Sequence, residues 1–346
     1  MGQFTKISRL GFGHFGEVWL EYDQALAVKR AVKYVAPGRI TSPKEMFREA
    51  QLLSTIVHEN VVRVYEAGHL EDNTLYIVMD YCRRGSIESR YQGGALPLKK
   101  ARKVLTDILR GLEFAHAKKI VHRDIKPANI LCKTSMDYLL SDFGLATRIG
   151  TNNTQSTYGY VLHMAPEVLR SGRFTTASDI YAAGMTAYRL VNGDSMLPRF
   201  GSVDELKHHI AGGLYPDRTL YRLYVPRKLR TVINRALEVS PAKRYSSAAK
   251  FRHALEQVNV CCSWFEKISA GGTSWVTELR GKRTEISIVH SADGPHTLSV
   301  FDGTAKKLRQ VHRFTINSRR EKDVLRAAAR ITQEMVNGKR LASIRT

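Results

Sequence analysis

A glycine-rich run near the N-terminus has residue types suited to binding phosphate. Gly11-Phe-Gly-His-Phe-Gly16 is followed by Glu17-Val18, which gives the pattern G-x-G-x-x-G-x-V. Glycines allow backbone N–H groups to approach phosphate oxygens closely. In a dinucleotide-binding fold the third glycine opens a helix, whereas residues 17 to 22 alternate as a strand does. The pattern therefore favours a hairpin that covers a nucleotide.

Two Ala-Val-Lys triplets follow, and either lysine, Lys29 or Lys33, can in principle reach the phosphates. Only one of them can be the site lysine. Strand alternation places Ala31 and Lys33 on the same face. Lys33 also follows the last glycine of the run by 17 residues, enough for a strand, a turn and a returning strand, and Lys29 then lies in or near the turn. We expect Lys33 to bind phosphate, with Glu49 on an apolar-faced helix as its counter-ion; the alternative for Glu49 is an ordinary surface carboxylate.

The strongest signal lies between residues 121 and 167. The run Val121-His-Arg-Asp-Ile-Lys-Pro-Ala-Asn-Ile-Leu131 is followed by Asp142-Phe-Gly144 and by Ala165-Pro-Glu167. Eleven of these positions define the motifs: His122, Arg123, Asp124, Lys126, Asn129, Asp142, Phe143, Gly144, Ala165, Pro166 and Glu167. At an average usage of about 5% per residue type, all eleven occur together by chance about once in 10¹⁴ sequences. Chance is therefore excluded as the origin of the set.

With these motifs in this order, residues 4 to 258 resemble the eukaryotic-type, or Hanks-type, protein kinases. Asp-Ile-Tyr-Ala at 179 to 182 and Pro241-Ala-Lys-Arg-Tyr245 are most similar to the serine/threonine kinases of bacteria. The resemblance implies an α+β protein with the bilobal protein-kinase fold. It also implies transfer of the γ-phosphoryl group of ATP to Ser or Thr hydroxyls of proteins, including autophosphorylation, with ATP and Mg²⁺ as cofactors.

The resemblance also assigns the catalytic roles. Asp124 would accept or orient the proton of the substrate hydroxyl, and Lys126 would neutralise the transferring phosphate. Asn129 and Asp142 would hold Mg²⁺, which prefers oxygen ligands. These roles agree with the chemistry, because phosphoryl transfer requires alignment and charge neutralisation rather than covalent help from the protein.

A nucleotide pocket is implied as well. Lys33, fixed by Glu49, would bind the α- and β-phosphates, Met79 would lie deep in the adenine pocket, and residues 80 to 82 would form the hinge whose backbone meets adenine. The other implied contacts with ATP are Gly11, Phe12, Gly13, Phe15, Gly16, Val18, Ala31, Asp80, Cys82 and Leu131.

Further matches are architectural. Asp179 would hold the backbone of the catalytic loop from a buried helix, and Glu167 would pair with Arg244. A stack between the two lobes would consist of Leu53, Val64, His122 and Phe143.

The substrate-docking loop departs from the family pattern. Tyr160 stands where serine/threonine kinases usually have Thr, and His163 replaces the usual Tyr. Whether the substrate hydroxyl belongs to Ser/Thr or to Tyr is therefore open. A short slip in the alignment would instead place Thr157 at the position that Tyr160 occupies here. Arg123 is the family's feature for reading a phosphate on the activation segment, and phosphoregulation stays open. The candidate acceptors there are Thr147, Thr151, Thr154, Ser156, Thr157 and Tyr158.

The elements that must position these residues follow from hydrophobic periodicity. Strand-like alternation around the glycine run covers 4 to 36, and further strands are predicted near 61 to 65 and 74 to 79. Helical patterns cover about 43 to 57, 101 to 118, 177 to 191, 227 to 239 and 247 to 258. The sequence predicts an N-lobe over 1–82, a C-lobe over 83–260 and a basic α+β module over 261–346.

Within the module, strands are predicted at 285 to 289, 297 to 301 and 310 to 316. Ser318-Arg-Arg-Glu321 has the form of a capping box that opens a helix ended by Gly338. Trp264, Phe265 and Trp275 can stack on bases or dock a partner, although burial in a small core is the favoured interpretation.

The module carries 16 Lys and Arg against 8 Asp and Glu, and the surplus lies mainly between Lys306 and Arg320. An acidic partner or nucleic acid is therefore a candidate ligand, and an ordinary solvated face is the alternative. The whole chain has a net charge of +22 and a pI near 10.0, which favours anionic partners but says nothing about the fold.

Length and composition narrow the class. At 346 residues and 43% hydrophobic, the chain is able to bury a substantial core. It contains no apolar run of about 20 residues, as a membrane span requires, and its first residues lack the apolar region of a signal peptide. We expect a cytoplasmic protein with four free thiols, although the adjacent Cys261 and Cys262 have a bonded alternative.

Two other functions compete with an active protein kinase. One is a weakly active or inactive kinase scaffold whose module binds a partner, against which the presence of Lys33, Asp124, Asn129 and Asp142 argues. The other is a small-molecule kinase of the same fold, which the complete Ala165-Pro-Glu167 segment disfavours. The protein substrate and the oligomeric state are not encoded in any motif that we recognise.

Overall fold

The structure is a computed structural model that describes residues 4–13, 16–37, 57–143, 161–304 and 306–345. Its first part is a five-stranded antiparallel sheet in the order β1-β2-β3-β5-β4. The strands are β1 Phe4–Gly13, β2 Gly16–Asp23, β3 Val28–Val35, β4 Val64–His69 and β5 Leu75–Asp80.

The glycine run forms the tip of the β1–β2 hairpin, where Gly13 pairs with Gly16. Gly16 has φ +126, and a Cβ there would collide with the carbonyl oxygen of Tyr34. Glycine is therefore required at this position by the close approach of β3. The strand predicted near 61 to 65 starts later, at Val64, because Val61 forms an isolated bridge with Leu140 instead.

The second part is helical, as the periodicity predicts. Its helices are α1 Ile87–Tyr91, α2 Leu98–Ala117, α3 Pro166–Ser171, α4 Thr176–Asn192, α5 Val203–Ala211, α6 Arg227–Ala236 and α7 Ala248–Glu256. Helix α4 is buried from Ser178 to Asn192, as expected of a helix at the centre of a lobe. Its start is fixed by Thr175, whose side chain accepts a hydrogen bond from Ser178 N in a capping box.

A small hairpin joins the two parts. Strand β6 Ile130–Cys132 pairs with β7 Tyr138–Leu140, and the 3₁₀ turn Pro127–Asn129 precedes it. Val62 N donates to Leu140 O at 2.9 Å. The catalytic-loop residues thus lie between a short sheet and the helical lobe, on backbone that both sides hold.

The C-terminal unit is an antiparallel sheet backed by one helix. Its strands follow the order β12-β11-β10-β9-β8, with β13 beside β11. They are β8 Phe265–Ser269, β9 Gly272–Leu279, β10 Lys282–Val289, β11 His296–Thr304, β12 Lys307–Gln310 and β13 Ile316–Ser318, followed by α8 Glu321–Val336. One face of the sheet is buried through Ile286, Ile288, Leu298 and Val300.

Three expectations for this unit are wrong. Residues 310 to 316 do not form one strand, because β12 and β13 flank a 3₁₀ turn, His312–Phe314. The capping box at Ser318 is absent: the N-cap of α8 is Arg320 without a side-chain cap, and Ser318 Oγ instead binds Asp323 and accepts from Arg320 N. Trp264 and Trp275 are buried as predicted, but Phe265 is 57% exposed because it lies on the edge strand β8.

The C-terminal unit packs directly on the helical lobe. Gln333 Nε2 donates to Leu223 O at 2.6 Å, and Lys99 N donates to Ser263 Oγ at 3.2 Å. One continuous apolar core also runs from the lobe through Val260 into the unit. The unit is therefore fastened to the lobe rather than joined to it by a free linker; the boundary between 260 and 261 stays a prediction.

No helix in the part of the chain that the structure describes has the length and apolar character needed to cross a membrane. All four cysteines are free thiols, as expected.

Candidate active site

A buried carboxylate fixes the start of the catalytic loop. Asp179, at the first turn of α4 and 1% exposed, accepts hydrogen bonds from His122 N at 2.7 Å and Arg123 N at 2.8 Å. His116 Nε2 lies 2.9 Å from the same carboxylate. Arg123 has φ 76, so two charge-assisted bonds hold a backbone conformation that non-glycine residues seldom adopt.

His122 connects this loop to the strand that precedes Asp142. Its Nε2 lies 2.9 Å from Ser141 O, and its ring packs on Phe143 with centroids 4.4 Å apart. Burial lowers the pKa of His122 below its ordinary value, so the ring stays neutral near neutral pH. Of the predicted stack between the lobes, Leu53 lies outside the described residues.

An acid, an ammonium and an amide meet on the loop, as the spacing of the motif implies. Lys126 Nζ lies 2.8 Å from Asp124 Oδ2. Asn129 Nδ2 donates to the same oxygen and to Asp124 O, both at 2.8 Å. Asp124 is 5% exposed. The carboxylate is thus held in one orientation, which a proton acceptor for a bound hydroxyl requires.

Lys33 reaches across from the N-terminal sheet to the other predicted metal ligand. Its Nζ lies 2.5 Å from Asp142 Oδ1, and Lys33 is only 5% exposed. Burial by itself would raise the pKa of the Asp142 carboxyl, but the charge and hydrogen bond of Lys33 lower that pKa overall. Lys29, by contrast, is exposed on β3. Glu49 lies outside the described residues, so its pairing with Lys33 stays a prediction.

The oxygen donors fit a divalent cation bound together with phosphate. Both hydrogen bonds of the Asn129 side chain use Nδ2, which leaves Oδ1 as a possible ligand. Among the described residues there is no group of three or more His, Cys, Asp or Glu side chains that suits a metal ion. One amide and one carboxylate match Mg²⁺, which typically takes its remaining ligands from water and substrate phosphates.

The predicted adenine contacts come together in one apolar cluster. Ala31 and Met79 are buried in it, and Val18, Leu131 and Cys82 pack against it. Burial raises the pKa of the Cys82 thiol to about 11. The cluster therefore provides a flat, uncharged wall suited to an aromatic base.

The side chain of Asp80 is engaged elsewhere. Its carboxylate accepts from Tyr65 Oη at 2.8 Å and lies 3.6 Å from Arg30. Any contact of this residue with adenine therefore comes from the backbone, as implied for the hinge.

The glycine run lies at the open edge of the N-terminal sheet. An added Cβ at Gly11 would meet no atom within 4 Å, and Phe12 is 63% exposed. Gly13 and Gly16 close the hairpin, whereas Phe15 lies outside the described residues. The open space at Gly11 therefore leaves room for its backbone to approach a ligand.

The docking loop contains a polar contact that motif reasoning did not find. His163, 4% exposed, lies 3.3 Å through Nε2 from Arg189 Nη1 on α4. Arg189 also binds Asp194 and Glu88. The sequence signals for this contact were the unusual His163 and an arginine inside the apolar run of α4. Tyr160 and the candidate phosphoacceptors lie outside the described residues.

An ion pair anchors the C-terminal end of the docking loop at Glu167. Arg244, whose side chain is 0% exposed, donates from both terminal nitrogens to Glu167, each at 2.7 Å. This is the pairing that the resemblance implies, and its bidentate geometry holds the segment after the docking loop.

Comparisons with known proteins agree with this geometry. The family described as protein kinase domain matches residues 4–257. The serine/threonine-protein kinase PrkC of Bacillus subtilis is 30% identical over 254 residues, covering 71% of this chain and 39% of PrkC. The serine/threonine-protein kinase PknJ of Mycobacterium tuberculosis is 31% identical over 259 residues, covering 71% of this chain and 43% of PknJ.

Among solved structures, the crystal structure of Rad53 1–466 in complex with AMP-PNP matches with a TM-score of 0.63 and 26% identity, covering 74% of this chain and 66% of that one. The chain spans about two fifths of the length of PrkC and PknJ. The matched region of PrkC is 254 residues long, so it cannot take in both the lobes and the C-terminal unit.

Proposed function

The chain belongs to the protein kinase domain family, and from that premise we propose that it transfers the γ-phosphoryl group of ATP to Ser or Thr hydroxyls of proteins, including its own. The observation that carries the proposal is the buried cluster of Asp124, Lys126 and Asn129, together with the Lys33–Asp142 ion pair. A scaffold without activity has no chemical need for this arrangement.

Each member of the cluster has a role in this proposal. Asp124, held by two donors on one oxygen, orients the hydroxyl and accepts its proton. Lys126 neutralises charge on the transferring phosphoryl group, and Lys33 binds the α- and β-phosphates. Such fixed charges lower the barrier because they are already aligned when the transition state forms.

Asn129 and Asp142 would hold Mg²⁺ in this account. When bound, the ion supplies positive charge to the phosphate oxygens. The contribution of the chain is to present the amide oxygen of Asn129 and the carboxylate of Asp142 from backbone that the β6–β7 hairpin fixes.

The nucleotide contacts are part of the same proposal. The apolar cluster of Val18, Ala31, Met79 and Leu131 supports adenine binding, and the backbone at Asp80 and Cys82 would meet its edge. The glycine tip at Gly11, Phe12, Gly13, Phe15 and Gly16 would cover the phosphates, and Glu49 would orient Lys33.

We further propose the division into an N-lobe over 1–82, a C-lobe over 83–260 and a module over 261–346. The end of β5 at Asp80, the end of α7 at Glu256 and the start of β8 at Phe265 support these boundaries. A cytoplasmic location stays a prediction.

An anionic partner of the module is a second proposal, and it rests on one edge of the C-terminal sheet. Strands β12 and β13 both lie beside β11 on that edge. Within the described residues, none of four basic side chains there forms an ion pair, although Asp302 lies opposite Arg309 in the β11–β12 register: Lys306, Lys307, Arg309 and Arg319. This cationic edge suits nucleic acid or an acidic protein; the alternative is that the charges only prevent strand addition.

Incubation of the full chain with γ-labelled ATP and Mg²⁺, followed by mapping of labelled residues, tests the kinase proposal. We expect label on Ser or Thr. Label on Tyr alone would correct the substrate class, and the absence of label from the chain and from any added protein would contradict the proposal.

A further inference from the structure

A largely buried ion pair joins the C-terminal unit to the helical lobe. Glu266, on β8, forms an ion pair with Arg222, and the exposed fractions of the two side chains are 13% and 16%. Glu266 also accepts a hydrogen bond from Trp275 Nε1 at 2.7 Å. Because both charges are shielded from water, removing one leaves the other poorly compensated.

Arg222 in turn holds the turn that ends α4. Its Nε donates to Asn192 O at 2.6 Å, and its backbone N donates to Asn192 Oδ1 at 3.2 Å. A terminal nitrogen also donates to Ser195 Oγ at 3.3 Å. Since Asn192 is completely buried, the guanidinium of Arg222 fixes residues 192 to 195 from one side.

The same turn carries the acid that fixes Arg189. Asp194 accepts from Arg189 Nε at 2.7 Å and from Arg189 Nη2 at 2.5 Å. The remaining nitrogen, Nη1, lies 3.3 Å from His163 Nε2. A guanidinium has no acceptor, so His163 Nε2 accepts this bond and carries no proton.

His163 lies beside the proposed catalytic residue Asp124. It lines a small cavity together with Asp124 and Arg123, and it belongs to the loop that the family uses to dock substrate. Polar contacts therefore connect Glu266 through Arg222 to Asn192 and Ser195, the backbone of the 192–195 turn leads to Asp194, and further polar contacts lead from Asp194 to Arg189 and the docking loop.

We propose that Glu266 is a positioning residue for the docking loop, so that the C-terminal unit sets the affinity of the kinase for its protein substrate. This inference rests on the proposed kinase function. Loss of the carboxylate charge releases Arg222 from its place against Asn192, and the shift passes to Asp194, Arg189 and His163. The nucleotide side of the site, at Lys33 and the hinge, lies outside this chain of contacts.

The test measures the two Michaelis constants of the full-length Glu266→Gln variant. The protein substrate is a tagged Asp124→Asn copy of the same chain, and label from ATP is counted on that copy. Coupling along such networks is typically about 0.5 to 2 kcal/mol, and every 1.4 kcal/mol is tenfold. We expect KM for the protein substrate to rise by about 2- to 30-fold, with KM for ATP changed by less than about twofold.

Glu278→Gln is the matched control. Glu278 is exposed on β9 of the same unit, and among the described residues it has no ion pair, so both Michaelis constants should match those of the wild type. An equal rise in Glu278→Gln, or a parallel rise in both constants of Glu266→Gln, would overturn the proposal, since either result indicates a general effect on charge or folding.

Arg222→Lys keeps the test decisive if Glu266→Gln folds poorly. Lysine retains a cation beside Glu266 but removes the Nε donor to Asn192, so KM for the protein substrate must rise here too. In the Arg222→Gln/Glu266→Gln double variant the effects should not add, because both act on one contact. If the wild type transfers phosphate and these variants have an unchanged KM for the protein substrate, the role of Glu266 is rejected and the kinase proposal stands. If the wild type shows no transfer, both proposals are rejected.

Discussion

The kinase domain and the cationic edge of the C-terminal unit use charge in opposite ways. Lys33, Asp124 and Arg244 are nearly buried, and each has a partner within 2.8 Å. On the edge, Lys307 and Arg309 are exposed, and neither forms an ion pair with a described residue. Buried paired charges have one geometry and a large cost of disruption, whereas exposed ones act through their summed field. Point substitutions should therefore have large effects at the buried pairs of the kinase domain and small effects on the edge.

The two lysines of the Ala-Val-Lys triplets give the largest expected contrast. Lys33→Ala removes the cation that contacts Asp142 and should lower the rate of phosphoryl transfer by at least about 10²-fold, the usual cost of losing one fixed electrostatic contact. Lys29→Ala removes an exposed charge and should leave the rate unchanged. Steady-state transfer from ATP measures both; the opposite ranking would mean that the register of β3 is misassigned.

Arg244 tests the cost of breaking a buried pair away from the reacting atoms. Arg244→Ala leaves Glu167, which is 21% exposed, without its bidentate partner. We expect the free energy of unfolding to fall by about 2 to 3 kcal/mol, somewhat below the range for fully buried pairs because water reaches Glu167. Urea denaturation gives the value. The exposed Arg173→Ala serves as the control, and equal losses in both variants would remove the distinction between the two kinds of charge.

Burial has the same effect on Cys82, in the kinase domain, and on Cys262, in the C-terminal unit. Burial raises the pKa of each thiol to about 11. Because the thiolate is the nucleophile, a raised pKa keeps the thiol protonated. Burial also limits access of the reagent, so alkylation by iodoacetamide at pH 8 should be at least about 100-fold slower than for free cysteine. The rate should rise about tenfold per pH unit up to about pH 11. Site-resolved mass spectrometry measures it; rapid labelling of Cys82 at pH 8 would show that the hinge is open to solvent.

The cationic edge should give the smallest effects per residue. If its four basic residues contact a nucleic acid, log affinity should fall with log salt at a slope of about −3 to −4. Lys307→Ala with Arg309→Ala should flatten that slope by about 1 to 2. Arg320→Ala should change it less, because Arg320 already pairs with Asp323 at 2.8 Å.

Titration of labelled DNA and RNA with the full chain at several salt concentrations measures these slopes. The absence of binding at low salt would leave protection of the sheet edge as the role of these charges.

The same contrast explains how far sequence reasoning reached. The catalytic roles stay a prediction, but the grouping of Asp124, Lys126 and Asn129 was predictable because these residues stand in one motif of the family that the chain resembles, and strand alternation separated Lys33 from Lys29. The contact between His163 and Arg189 was not predictable, because it joins residues 26 apart in sequence through the tertiary fold. The Glu266–Arg222 pair could not be predicted for the same reason, and neither residue belongs to a motif that we recognise.

The strands and the buried residues of the C-terminal unit were predicted less accurately than those of the kinase domain, for a topological reason. Residues 310 to 316 alternate as a strand does, but β12 and β13 share one edge of β11 and the chain must turn between them. Alternation shows which side chains share a face and not which edge a strand occupies. Phe265 was misjudged in the same way, because an edge strand exposes side chains that a central strand would bury.

The transfer rate of Asp124→Asn tests the central claim most directly. The variant keeps the size and hydrogen-bonding shape of the side chain but cannot accept the proton of a substrate hydroxyl, so we expect transfer from labelled ATP to fall by about 10² to 10⁴. Folding and nucleotide binding should be retained, and the exposed Asp204→Asn should behave as the wild type. An unchanged rate in purified Asp124→Asn would contradict the kinase mechanism.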